Sequence, residues 1–243
     1  MALVFLHGLS AGPGEFGDAP LKMGQRLAAN VYVARLPGHG LMEEDALRGS
    51  TVPQWLTCAE RALDVGLRLG EKVVLVGSSL GASLAMITAA RHPDQVAAVI
   101  AWSLGVRPAD PAALARLCCA DQPIGRLVTN DPHVARFWSP AVHPDAYRAL
   151  DGLFTEWMCP DTARGVLAPF LLAYWYRDEM QMDPVASVPA MLELFEHLST
   201  PAEQRRAIAY AEGAHSIGSP WRSKAAAQVW EDSLKFLRDL ELW

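Results

Sequence analysis

The sequence lacks a membrane span: no run approaches the roughly 18 apolar residues that a transmembrane helix needs. Its opening stretch, Met1-Ala2-Leu3-Val4-Phe5-Leu6, is apolar but short and has neither a basic lead nor a small-residue cleavage site. It runs directly into His7-Gly8, so it reads as a first strand and not as a targeting peptide. Clusters of basic residues are also missing. With 21 Lys and Arg against 27 Asp and Glu, the net charge is -6, which argues against nucleic acid or an anionic membrane surface as partner. Cysteine is scarce. Cys58, Cys118, Cys119 and Cys159 show no zinc-ligand spacing, and the adjacent pair is poorly placed to bridge, so reduced thiols in a cytoplasmic protein are expected. The histidines show no metal-like spacing either, and no metal site is expected. Internal repeats and low-complexity tracts are absent.

What remains is a 243-residue chain, 51% hydrophobic, long enough for one large α/β domain. Strands are expected at Ala2–Leu6, Val31–Arg35, Lys72–Val76, Val96–Trp102, Ala168–Tyr174 and Arg206–Ala211. Several are unbroken apolar runs, as strands buried on both faces must be. Helices are expected at Pro20–Ala29, Val52–Leu69, Ala82–Arg91, Ser187–Leu198 and Lys224–Leu240. Alternation of the two predicts a mostly parallel sheet of about six strands flanked by helices. With few residues ahead of the first strand, Val31–Arg35 is expected at an exposed sheet edge.

Residues 105–165 break this rhythm. No convincing strand is visible there, and short helical stretches are interrupted by seven prolines from Pro108 to Pro160. A connection this long within a domain is usually functional. It is expected to be a helical cap over the carboxyl edge of the sheet, the core being 1–104 and 166–243.

Gly77-Ser78-Ser79-Leu80-Gly81 carries the chemistry. It follows Val73-Val74-Leu75-Val76 and precedes an Ala-rich helical stretch, which is the strand–turn–helix setting of a nucleophile elbow. Glycines at both ends allow the close backbone approach that such a turn demands. A serine nucleophile needs a base, an orienting acid and an oxyanion pocket, each from a loop at the carboxyl end of a strand. His215, in the small-residue loop after the last strand, is the expected base. Asp178, following the fifth strand, is the expected acid, with Asp183 the alternative. The backbone N–H groups of Leu9 and Leu80 are the expected oxyanion donors. His7 is expected to pin the oxyanion loop, and His39 to buttress the neighbouring loops. The order Ser79, Asp178, His215 is the order such a fold requires.

On these residues, together with Pro37-Gly38-His39-Gly40, Asp178-Glu179-Met180 and Gly213-Ala214-His215, the chain resembles the α/β-hydrolase superfamily. Within it, the chain looks most like small bacterial carboxylesterases and monoacylglycerol lipases. That resemblance covers nearly the whole sequence. It implies serine-dependent hydrolysis of a small-molecule ester of short to medium acyl length, or of a monoacylglycerol-like substrate, through an acyl-enzyme, without cofactor. Thioesters, lactones and carbon–carbon substrates share the same catalytic groups, as does a hydrolase-fold receptor for small molecules; fold alone does not separate these.

Overall fold

The computed structural model describes residues 1–43, 45–125 and 131–242. In chain order the elements are β1 (Ala2–Leu6), α1 (Ala19–Arg26), β2 (Asn30–Ala34), α2 (Val52–Leu69), β3 (Val73–Ser78), α3 (Leu80–Arg91) and β4 (Val96–Trp102). Next come α4 (Pro111–Cys118), β5 (Ile124–Gly125), α5 (Pro132–Phe137), β6 (Ala141–Val142), α6 (Pro144–Trp157) and α7 (Pro160–Arg164). The chain ends with β7 (Phe170–Asp178), β8 (Gln181–Met182), α8 (Val188–Glu196), β9 (Arg205–Tyr210) and α9 (Ala226–Asp239).

Seven strands form the main sheet, in the order β2-β1-β3-β4-β7-β8 with β9 paired to β7. All pairings are parallel except the short β7–β8 hairpin. The six parallel strands are those expected from the sequence, and β2 lies at the edge, paired only with β1. Successive side chains point to opposite faces. In β1, Val4 and Leu6 enter one hydrophobic cluster and Leu3 and Phe5 the other. β3 divides in the same way, with Val73 and Leu75 on one face and Val74 and Val76 on the other. Helices α2, α3 and α8 cover the first face, and α1 and α9 the second. A sheet covered on both faces needs apolar residues at every position, which explains the unbroken runs.

Helix boundaries follow local chemistry. Thr51 starts α2 with a capping box: its Oγ1 accepts the Gln54 N–H, and Gln54 Oε1 accepts the Thr51 N–H. Pro53 occupies the first turn, where its missing N–H costs nothing.

Two expectations need correction here. The region between β4 and β7 does contain strand: β5 and β6 pair antiparallel, two residues each, too short to leave a periodic trace. Residues 126–130 of the expected cap lie outside the described residues. Strand β7 also runs four residues beyond its expected end at Tyr174, to Asp178. Its last residues leave the parallel sheet and turn back antiparallel through β8.

The sheet fixes the turn after β3. A Cβ on Gly81 would lie 1.9 Å from the Leu6 carbonyl oxygen, an atom of β1 that cannot retreat without breaking the sheet. Gly81→Ala is therefore expected to destabilise the fold by about 3 kcal/mol, the upper end for overpacked cores. Gly125→Ala, with nothing within 4 Å of the added methyl, is expected to stay near wild type. Urea unfolding midpoints of the two variants check this contrast.

Candidate active site

Ser79 sits between β3 and α3 with φ 52° and ψ −117°, a left-handed conformation rare outside glycine. The strain is held from both sides. Its N–H donates to the Trp102 carbonyl (2.9 Å), and its own carbonyl accepts from Ala82 and Ser83 in the first turn of α3. The hydroxyl is thereby presented at the carboxyl edge of the sheet, beside the N-terminus of a twelve-residue helix.

His215, in the loop after β9, reaches back to it: Nε2 lies 2.7 Å from Ser79 Oγ. On its other side, His215 Nδ1 lies 2.7 Å from Asp183 Oδ2. The Asp183 side chain is fully buried, and its second oxygen accepts the N–H groups of Val185 (2.9 Å) and Ala186 (3.1 Å). Burial alone would push this carboxyl up. The neighbouring His215, by charge and hydrogen bond, and the two N–H groups outweigh burial and hold it below the usual carboxylate range.

Asp178 is not the residue that meets His215. It is exposed in the β7–β8 turn, where its Oδ1 accepts the Met180 N–H at 2.9 Å. The hairpin causes the difference. Beyond Trp175 the strand leaves its parallel neighbours and carries Asp178 into solvent, and the returning strand brings Asp183 back to the sheet edge. There the Asp183 N–H donates to the Trp175 carbonyl at 3.1 Å. The pair Asp183-Pro184, a turn-initiating combination, is the sequence signal for this return.

The loop after β1, which carries the expected oxyanion donor Leu9, is clamped by a histidine whose tautomer its partners determine. His7 Nε2 accepts the Leu36 N–H (3.1 Å), so Nδ1 carries the proton and donates to the Gly8 carbonyl (3.0 Å). The Ala11 N–H shares that carbonyl. In a trans peptide the N–H points opposite to the C=O. Holding the Gly8 carbonyl therefore aims the Leu9 N–H away from His7. Among the described residues, neither the Leu9 nor the Leu80 N–H has an acceptor within the protein. His39 packs against His7, with ring centroids 5.1 Å apart, and its Nδ1 donates to the Pro37 carbonyl.

One residue of the site was not expected. Glu15, on the 3-10 turn Pro13–Phe16, is 1% exposed and lines the same cavity as Ser79 and His215. Its Oε2 accepts the Gly8 N–H (2.7 Å) and its Oε1 the Ser78 hydroxyl (2.9 Å). Burial pushes its carboxyl up, against the pull of these bonds and of nearby His215.

The cavity in front of Ser79 is about 340 Å³. Its far wall is apolar, with Leu114 and Leu117 from α4 and Leu150 and Phe154 from α6. Among the described residues no cluster of side chains could hold a metal ion, and no helix is long and apolar enough to cross a membrane.

Residues 3–235 match the profile of a family described as the alpha/beta hydrolase family. A metagenome-derived lipolytic enzyme, reported with the pair LipS and LipT, superposes with TM-score 0.83 at 17% identity, over 98% of this chain and 93% of its own. The monoacylglycerol lipase of Paleococcus ferrophilus gives 0.73 at 19%, over 97% and 93%. Est1E of Butyrivibrio proteoclasticus, bound to ferulic acid, gives 0.70 at 15%, over 100% and 90%. At such identities these likenesses show a shared fold. No curated protein sequence matches significantly.

Burial of neutral histidines has a measurable consequence. His7 is lowered to about 3, by desolvation and then by His39, and His39 to about 4, by desolvation. Unfolded, both would take up protons near 6.5. Stability from these two groups is thus complete above about pH 6.5 and is lost as the pH falls toward 4 and then 3. Glu15, raised by burial, has the opposite sign, but it is one group against two. Urea midpoints are expected to fall steadily from pH 6.5 to 4.5; a flat profile would contradict neutral burial of both rings.

Proposed function

This chain belongs to the alpha/beta hydrolase family, and we propose that it is a serine carboxylic-ester hydrolase with Ser79 as nucleophile, His215 as base and Asp183 as orienting acid. One observation carries the reading: the unbroken relay Ser79 Oγ–His215 Nε2 and His215 Nδ1–Asp183 Oδ2, 2.7 Å at each step. Residues chosen for folding alone have no need to align three such groups on a strained turn.

His215 Nε2 takes the Ser79 proton as Oγ attacks the ester carbonyl carbon. The carbonyl oxygen becomes negative and is received by the Leu9 and Leu80 N–H groups, a donor of this kind contributing about 2.7–4 kcal/mol to the transition state. Asp183 keeps Nδ1 protonated and stabilises the imidazolium. His215 then protonates the departing alcohol. Water, deprotonated by His215, cleaves the acyl-enzyme, releasing the acid and restoring Ser79. These steps need no cofactor.

The segment at residues 105–165 acts in this reading as a cap. Its helices α4 and α6 supply the apolar wall, which suits a short to medium acyl chain or the chain of a monoacylglycerol-like ester. The lipolytic and monoacylglycerol lipase titles among the structural likenesses point the same way. The four cysteines are free thiols, in keeping with a reducing, cytoplasmic setting.

Hydrolysis of p-nitrophenyl esters of increasing acyl length tests the assignment. Ser79→Ala is expected to abolish turnover. Asp183→Asn is expected to lower kcat by about 10⁴, the cost of losing the correct imidazole tautomer in a comparable triad. Asp178→Asn is expected to stay close to wild type, and equal losses at the two positions would return the acid role to doubt.

The apolar wall generates a separate expectation. Leu117→Trp fills the cavity from α4 and is expected to lower kcat/KM for the longest accepted chain at least about tenfold, in line with the sensitivity of apolar pockets to single methylenes. Acetyl ester turnover should be spared. Uniform loss across the series would place the acyl chain elsewhere.

A further inference from the structure

The hydrolytic cycle above leaves one buried ionisable group without a task. Glu15 lies on a turn fastened on several sides. Its carbonyl accepts the Ser219 hydroxyl (2.7 Å), the neighbouring Gly14 carbonyl accepts Trp221 Nε1–H (2.8 Å), and its own N–H donates to Gly12 (2.9 Å). Phe16, the next residue, is buried against Phe5 and Trp102, with centroids at 5.2 and 5.9 Å. The carboxyl therefore enters the site from a fixed base.

Its two hydrogen-bond partners come from two different loops, and its own backbone is bonded to a third. Gly8 belongs to the oxyanion loop and Ser78 directly precedes the nucleophile, while the Glu15 carbonyl accepts the Ser219 hydroxyl from the loop that carries the base. A Cβ on Gly8 would lie 3.4 Å from both Glu15 Oε2 and Ser79 Cβ, so the carboxyl stands just behind Ser79 with a single glycine between them. The Gly8 residue is thus gripped from both ends, its N–H by Glu15 and its carbonyl by His7. Both peptides that set the direction of the Leu9 N–H are fixed.

Charge is a poor explanation for this placement. Among the described residues no Lys or Arg pairs with Glu15, and the place where the tetrahedral intermediate gathers negative charge is next to it. An anion there would oppose the oxyanion even while favouring the imidazolium.

Resting on the hydrolase reading, we propose that Glu15 is a positioning residue: its carboxyl, on a turn whose backbone is bonded to the histidine loop, locks the oxyanion loop to the elbow, and it does so by hydrogen bonding and not by charge. Glutamine can replace it. The amide oxygen accepts the Gly8 N–H, and the amide NH₂ donates to a serine hydroxyl, which rotates to receive it. Alanine cannot, and it frees Gly8 on one side.

The test compares wild type, Glu15→Gln, Glu15→Ala and Ser79→Ala on p-nitrophenyl butyrate, with active sites counted by a fluorophosphonate and kcat followed against pH. Glu15→Ala is expected to lose about a hundredfold in kcat, as for removal of one oxyanion donor. Its KM should stay within about threefold, because the apolar wall is untouched. Glu15→Gln should keep kcat within about fivefold of wild type, with the acid limb of the pH profile unmoved. Wild-type kcat in Glu15→Ala overturns the proposal. So does Glu15→Gln as slow as Glu15→Ala, or an acid limb displaced by about one unit, since either makes the charge the active element.

If Glu15→Ala does not fold, Ser78→Ala removes one of the two tethers while leaving the carboxyl. That variant should lose about tenfold in kcat at unchanged KM, and an unaltered kcat overturns the proposal. Failure of the underlying reading looks different: a wild type neither labelled nor active, or a Ser79→Ala variant as active as wild type, removes the hydrolase assignment itself. An active wild type, a dead Ser79→Ala and an unimpaired Glu15→Ala remove this inference alone.

Discussion

The close approach of α3 to the end of β1 is the constraint on which the site depends. At Gly81 the helix backbone passes so near the Leu6 carbonyl that no side chain fits between them, and at Gly77 an added Cβ would meet the Ala82 backbone at 2.4 Å. This crowding forces the strained backbone of Ser79 and also sets its hydroxyl beside the loop that leaves β1. Ser79 and that loop are neighbours because β1 and β3 are paired, Leu6 opposite Gly77. Had these strands been separated in the sheet, the hydroxyl and the Leu9 N–H would have no common target. The cost of the strain, of the order of 1–3 kcal/mol, is borne by a sheet buried on both faces, in which all five residues of β1 and all six of β3 are buried.

Two carboxyl groups flank the single imidazole of the site, and their surroundings drive them apart. Asp183 gains two backbone N–H donors and direct contact with His215, and is held low. Glu15 gains neutral donors and no cation, and is pushed up. The first is favoured as an anion beside His215, whereas burial works against a charge on the second. Different environments giving different duties to chemically alike groups is the usual way acid and base roles are divided within one pocket. Neutral His7 extends the same logic: a charged ring at its position could not accept the Leu36 N–H and would lose one of the two bonds that fix the loop.

The parts of this architecture that were legible in the sequence are those governed by local pattern. Apolar runs announced the six parallel strands, because burial on both faces leaves no polar position to blur them. The Gly-Ser-Ser-Leu-Gly turn announced Ser79, and the small-residue loop after β9 announced His215. Asp183 was harder to see. The polar stretch from Arg177 to Glu179 reads as a strand end, yet it is the tip of a hairpin, and the residue that counts lies beyond the return strand. Glu15 was invisible for a different reason. Its partners Gly8 and Ser78 are far apart along the chain and meet only because β1 and β3 pair at one edge, so no spacing in the sequence records them.

The candidate oxyanion loop is also bonded to the elements that line the cavity in front of Ser79. Its inner side is held by His7 and Glu15. Its outer side is hydrogen-bonded to the chain after α5: the Gly12 N–H donates to Phe137 and the Ser139 N–H to Ser10, both at 2.8 Å. Trp138 lies between these two bonds and lines the cavity. Helix α6 is fastened separately, through Asp145 accepting the Gly49 N–H (2.7 Å) and Arg148 binding the Cys118 and Ala120 carbonyls at the end of α4. The apolar wall from α4 and α6 can therefore vary in shape with little effect on the loop, whereas any displacement of residues 137–139 must break backbone bonds to the oxyanion loop itself. On the proposed hydrolase reading, selectivity for the acyl chain and the rate of the chemical step rest on two physically distinct attachments of one segment, and substitutions along it should separate into those that change which ester is accepted and those that change how fast every ester is cleaved.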